Sequence, residues 1–226
     1  MIYFLPLRKQ YFVAAGLILL ILIGIKLTSS GIAKNQEILQ DAFLKMQKLS
    51  SYSYTSEVRI MEKEKVTYLS QVEGIKSEKG AWAKGTILGT PVEILCVNNT
   101  TYFRDVQDGK WVTLKGINLG EAESLVNELN PLKVLAFDEI KNVRYRGVEK
   151  IDGVNCLVFE GWPSYIHPVL KHLYYDYEGK FYIEKRSKKI KRVILRAKSR
   201  FNQNIVLAVR ITFKESGSRV KLPSPR

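Results

Sequence analysis

His167 and His172 stand five residues apart, with Asp176 four further on. Imidazoles and a carboxylate so close in sequence raise metal ligation first. Two histidines that share a metal on a helix need a spacing of four, so that both rings leave the same face one turn apart. Here the spacing is five, and Pro168, directly after His167, disturbs any helix on which the pair would rely. The residues therefore predict two partly exposed histidines in an aromatic-rich loop, with no metal site and no cofactor. Cys96 and Cys156 raise a second chemistry. Neither has a His or Asn placed in a recognisable local signature, so a catalytic thiolate is not expected. Two readings of the pair stay open. A disulfide would close a loop of about 60 residues and stabilise the fold by about 4 kcal/mol on the chain-entropy account. Two buried free thiols would instead behave as small hydrophobes. Hydrolysis needs a nucleophile, a base and an orienting residue, and no such set is visible. The chain reads as a binding protein, not an enzyme.

Charge supplies the third candidate. The 226 residues include 36 Lys and Arg against 22 Asp and Glu, a net charge of +14. Fifteen of those basic residues and only two of the acids fall in residues 180–226. The block from Lys185 to Arg200 invites nucleic acid, because its side chains would neutralise several phosphates. Alternation argues otherwise. If Ile190–Lys198 is a strand, Arg192, Arg196 and Lys198 share one face with Ile194, while Val193, Leu195 and Ala197 share the other. That is a solvated basic surface over a buried face. Its remaining electrostatic use is attraction to anionic headgroups or wall polymers, and no nucleic-acid partner is expected. Asn98 and Asn99 each begin an N-x-T sequon, which matters only in a source that glycosylates exported proteins.

These groups need elements to hold them, and the first element is a membrane segment. From Gln10 to Ile25 there is no charge, and Tyr11–Ile25 is apolar apart from its glycines, with Arg8-Lys9 ahead of it. Sixteen uncharged residues lie just under the roughly 17–25 of a spanning helix, and Lys9 and Lys26 can snorkel to extend them. Gly31 and Ala33 would suit signal-peptide cleavage, but they sit beyond Lys26, which favours an uncleaved anchor. The cations before the span and the long domain after it predict a cytoplasmic N-terminus over residues 1–9, a single-pass anchor over 10–27 and an extracytoplasmic domain over 34–216. Residues 217–226, with two prolines, read as a disordered tail.

Within the exported part, Ile38, Leu39, Ala42, Phe43, Met46 and Leu49 recur at helical steps and predict an amphipathic helix over Lys34–Ser50. Period-2 alternation then predicts a strand at Tyr52–Ile60. Strand-like runs follow at Val66–Glu73, Gly80–Leu88, Pro91–Val97, Thr101–Arg104 and Lys110–Leu114, with Asp108-Gly109 as a hairpin signal. Such spacing describes an antiparallel meander, not a parallel sheet with crossover helices. Ala122, Leu125, Val126 and Leu129 make a helical stripe that ends at Asn130-Pro131, where a second short helix through Leu132, Leu135 and Ala136 can open. Strands resume at Val143–Glu149, Val154–Gly161, Lys180–Glu184, Ile190–Lys198 and Ile205–Lys214. The aromatic stretch Trp162–Tyr177 is the least legible. The expectation is α+β, with about ten strands and three helices.

That order of elements resembles the LolA-like superfamily, which includes the lipoprotein carriers LolA and LolB and the mycobacterial LppX and LprG group. The resembling residues are the amphipathic helix running into Leu49-Ser50-Ser51-Tyr52, the Trp111 strand ahead of the helical pair, the Gly147–Gly153 segment and the closing hairpins. The chain differs in having a membrane segment of its own, where LolA is soluble and the others are lipid-modified. The resemblance implies one curved antiparallel sheet, an open half-barrel, covered on its concave face by helices with an apolar cavity between. Phe43, Val58, Trp111, Leu125 and Leu129 are the expected lining. It further implies a membrane-tethered domain of the cell envelope that binds a lipid, a lipoprotein or another apolar ligand. The alternative is a sensory or scaffold domain with a filled core and an envelope protein as partner.

Overall fold

The computed structural model describes residues 31, 33–98, 100–105, 107–114, 130–135, 137–165, 168–216 and 220–224. A helix over residues 33–47 (α1) leads into eleven strands and two short helices. In chain order these are β1 (Tyr52–Glu62), β2 (Lys65–Ser77), β3 (Gly80–Ile87), β4 (Thr90–Val97), β5 (Thr100–Arg104) and β6 (Trp111–Leu114). Then come α2 (Pro131–Val134), β7 (Phe137–Ile151), β8 (Val154–Tyr165), α3 (Pro168–Leu173), β9 (Tyr174–Glu184), β10 (Ile190–Ser199) and β11 (Ile205–Ser216).

All eleven strands join one antiparallel sheet in the order β6-β5-β4-β3-β2-β1-β11-β10-β9-β8-β7. The sheet is open, with β6 and β7 at its edges, and is consistent with a curved half-barrel. Each half is a meander of neighbours in sequence, and the halves meet where β1 pairs with β11, Val58 opposite Val209 and Ile60 opposite Leu207. Side chains alternate between faces, so the inner face of this seam carries Tyr54, Val58, Val209, Ile211 and Phe213. α1 supplies its cover. Leu39, Ala42 and Met46, spaced three and four apart, are buried against that face, while Asp41 and Lys45 pair at 2.7 Å on the solvent side. Burying such side chains stabilises by about 1.5–3 kcal/mol each, which supplies what a helix of four turns lacks in water on its own. Phe43 completes the contact, edge-to-face with Phe137 and Phe181, both at 5.8 Å between ring centres. A second cluster, Val72, Ala81, Ala83 and Ile94, lies on the same face of β2–β4.

Several expectations shift. The helix at Asn130-Pro131 spans Pro131–Val134 only. β7 begins at Phe137, not Val143, and β9 at Tyr174, not Lys180. The stripe at Ala122–Leu129 and the apolar run of residues 10–27 lie outside the described residues. Among the described residues, no helix is long and apolar enough to cross a membrane.

Candidate functional site

Between α3 and the inner face of the sheet lies a cavity of about 300 Å³ whose walls are almost entirely apolar. Val58 of β1 and Leu69 of β2 form one wall, Leu195 and Ala197 of β10 the floor with Leu207 and Val209 of β11, and Leu170 and Leu173 of α3 the roof. Alternation explains the floor. Val58, Val209 and Leu195 face one another across three adjacent strands, so successive pairs present branched apolar side chains to one side. Leu69 joins them because the register shifts between Val58 and Arg59, which places Ser70 and Tyr68 opposite those two residues and leaves Leu69 as the extra residue.

The roof is a helix of six residues, too short to stand alone, and it is fastened from below and behind. Tyr177, on β9, donates its hydroxyl to the Leu170 carbonyl at 2.7 Å. The Arg200 backbone N–H donates to the Leu173 carbonyl at 3.0 Å, and its Nε to the Lys171 carbonyl at 3.1 Å. Burial is the main cause that pushes the Tyr177 hydroxyl up to about 12, with Tyr174 adding to it. Tyr174, also lining the cavity, is pushed up by burial as well. Both phenols are thus neutral at ordinary pH, and Arg196, the charged residue among the lining, turns its side chain to the outer face of the sheet.

Of the five lining residues expected from the sequence, the structure places Val58 in this cavity. Phe43 lies elsewhere, in a groove of about 440 Å³ between α1 and the start of β7 that also includes Leu44, Phe137 and three glutamines. Trp111 is a correction. It pairs with Arg104 across β5 and β6, and the Arg104 guanidinium lies 6.0 Å from its ring centre. Arg104 also meets Glu93 at 3.2 Å, and Glu93 lies opposite Lys84, itself opposite Glu73 and Thr55. That whole row is on the outer face, away from the cavity. Leu125 and Leu129 lie outside the described residues. The residues that the sequence reading missed divide in two. Leu195, Leu207 and Val209 stood in clean alternation, whereas Leu170, Leu173, Tyr174 and Tyr177 were hidden in the aromatic stretch.

The disulfide reading is also corrected: Cys96 and Cys156 are free. Their strands, β4 and β8, are seven places apart in the sheet, about 30 Å at the usual strand spacing, whereas a bridge needs Cα atoms within about 7 Å. They also sit on opposite faces. Cys96 pairs with Ala81 on the inner face, and Cys156 with Glu184 on the outer. Burial, and then the Glu184 carboxylate, push the Cys156 thiol up.

Arg192, Arg196 and Lys198 do lie on the outer face opposite buried Val193, Leu195 and Ala197. They are not a bare basic stripe, since Asp152 stands 3.5 Å from Arg192 and Asp176 2.6 Å from Lys198. A hollow of about 670 Å³ is on this face. It is lined mainly by polar and charged side chains, and three of its four cations already face acids: Lys84 meets Glu93, Arg192 meets Asp152, and Arg210 meets Glu57 at 3.7 Å. His172 is exposed on α3, and His167 lies outside the described residues. Among the described residues no three His, Cys, Asp or Glu gather closely enough to hold a metal.

No family model matches the chain, and no curated protein matches it in sequence. Solved structures do match in shape. LprF from Mycobacterium bovis superposes with a TM-score of 0.58 at 18% identity, over 85% of this chain and 97% of that one. The Mycobacterium tuberculosis lipoprotein LppX gives 0.55 at 14% identity, over 84% and 99%. Both pairings span nearly the whole of the solved chain. The chain has the LolA-like fold, in the form that LprF and LppX adopt.

Proposed function

We propose that the domain is an extracytoplasmic binding module of the cell envelope that holds a lipid, a lipoprotein acyl chain or another apolar ligand, tethered to the cytoplasmic membrane by residues 10–27. The observation that carries this reading is the apolar cavity under α3. A core that folds only for stability fills such space, because each void forfeits packing energy. Here Val58, Leu195, Leu207 and Val209 leave a hollow at the lower end of the usual volume for a ligand pocket. The LolA-like fold supports the same reading. The tether rests on the uncharged run behind Arg8-Lys9.

Uptake of a fluorescent fatty acid tests it. Wild type is expected to bind the probe, and Val58→Trp to abolish binding while costing about 1–3 kcal/mol of stability or less. Phe43→Leu, in the other groove, is expected to leave uptake intact. If wild type takes up no probe and Val58→Trp unfolds the domain, the space is ordinary core. The protein is then a scaffold or sensor that works through its surface.

A further inference from the structure

One border of the sheet differs from the other. Besides the β5–β6 connection, it carries the β1–β2 turn at residues 63–64, the β3–β4 turn at 88–89, α3, and the β10–β11 turn at 200–204. Hydrogen bonds link three of these four connections to their neighbours along the border. The Leu88 N–H donates to the Leu69 carbonyl at 2.7 Å, and the Arg200 N–H to the Leu173 carbonyl. Asn202 Nδ2 reaches Glu62 Oε1 at 3.4 Å. The β10–β11 turn is thereby tied to α3 and to the end of β1, and the β3–β4 turn to β2 further down the same rim, and two of the bonded residues, Leu69 and Leu173, line the apolar cavity.

The rim holds out apolar side chains. Phe201 is 81% exposed and Leu88 73%, the two most exposed large hydrophobic residues among those described, and Leu173, whose carbonyl accepts from the Arg200 N–H, is exposed too. A turn fixed by Asn202 and Ser199 side chains would form equally well with a polar residue at 201, so the ring does nothing for the turn itself. Cations flank these tips. Lys63, Lys65, Lys171 and Arg200 are all exposed, and none forms an ion pair among the described residues. The nearby acids are fewer: Asp176 is held by Lys198, Glu62 accepts from Asn202, and Glu64 stands exposed between Lys63 and Lys65. Apolar tips among unpaired cations are the composition that seats a surface in the headgroup region of a bilayer, the rings entering the acyl boundary and the cations meeting lipid phosphates. A protein partner's face would bury the tips equally well but would leave the cations to be matched one by one.

We infer that this rim is the face by which the domain docks on an anionic lipid bilayer, with Phe201, Leu88 and Leu173 entering the interface and Lys63, Lys65, Lys171 and Arg200 on the headgroups. Docking does not require the cavity to be occupied. It brings Leu69 and Leu173, which line the cavity, toward the membrane surface, so that an apolar ligand passing between bilayer and protein would cross little water.

The test uses the full chain reconstituted in vesicles of phosphatidylcholine with or without phosphatidylglycerol. A polarity-sensitive fluorophore is placed at Phe201→Cys, or at Lys79→Cys on the opposite border as a control, both at exposed turn positions. In vesicles containing phosphatidylglycerol, emission at 201 is expected to shift blue and to be quenched several-fold more by spin-labelled lipid than emission at 79. Reversing Lys63, Lys65 and Lys171 to Glu is expected to remove the part that depends on phosphatidylglycerol. Hydrogen exchange on the unmodified chain should show matching protection at 63–65, 88–89 and 199–202. Equal, water-like emission at both positions overturns the inference. So does shielding of 201 that is the same with and without phosphatidylglycerol, which would point to a protein contact. A rim that docks while the fatty acid stays unbound keeps this inference and retires the cavity reading.

Discussion

Tyr177 fastens the roof of the cavity through one hydroxyl, and that hydroxyl makes a pH-dependent clamp. Its ordinary value of 10.0 is held at about 12 because burial disfavours the phenolate. A group whose value is raised on folding contributes stability that is whole below its unfolded value and lost as pH climbs to its folded one. The window is therefore pH 10 to about 12. Wild type should lose stability across it, and Tyr177→Phe should lose less, as read from urea midpoints at stepped pH. At neutral pH the same variant should cost about 0.5–1.5 kcal/mol, since the Leu170 carbonyl loses its donor. Tyr52, more deeply buried, is raised further, so some alkaline loss persists in the variant. Equal loss in both proteins would mean that Tyr177 is not the titrating group. At this scale the sequence was informative wherever a strand was regular. Val58 and the basic residues of β10 could be assigned to faces by parity alone, whereas Trp111 could not, because the parity of a four-residue edge strand depends on where its partner begins.

Among the elements, the inner face is shaped as much by what is missing as by what is present. Gly74 of β2 lies beneath the Tyr54 ring, and a Cβ there would run into the ring's Cζ. Tyr54 is buried and pressed against α1's cluster, so the ring cannot swing away cheaply. Gly179 under Phe181 repeats the arrangement on β9. Gly74→Ala should therefore cost about 1–3 kcal/mol as an overpacked site, with the denaturant midpoint falling and its slope unchanged. No loss would mean that Tyr54 has room to move. The strands themselves were mostly legible, since period 2 survives in β1, β3, β10 and β11. β7 and β9 were partly hidden for a physical reason. β7 carries register shifts near Phe137, Lys141 and Tyr145, and β9 takes a left-handed residue at Asp176, so polar and apolar positions fall out of step where the strand bends. α3 was invisible because six residues opening on proline contain too few turns to show a period.

On the scale of the whole molecule, sequence order predicted an antiparallel meander with closing hairpins, and the resemblance implied a half-barrel, but the pairing of β1 with β11 is a contact between segments about 150 residues apart, and periodicity holds no record of it. The tether belongs to this scale too. On the proposed orientation, with Arg8 and Lys9 on the cytoplasmic side, protease added to intact spheroplasts should digest the domain, and its survival until the membrane is broken would reverse the orientation. The central seam has a mechanical consequence. Tyr52 faces Ser216 at one end of the β1–β11 ladder and Glu62 faces Ile205 at the other, so both chain directions leave the seam at the same border. A pull between the N-terminal side and the C-terminal tail would load this ladder rung by rung, since antiparallel bonds lie across the strands. Under traction the domain would not shed its edges first; it would unzip along its midline into two half-sheets, β1–β6 and β7–β11.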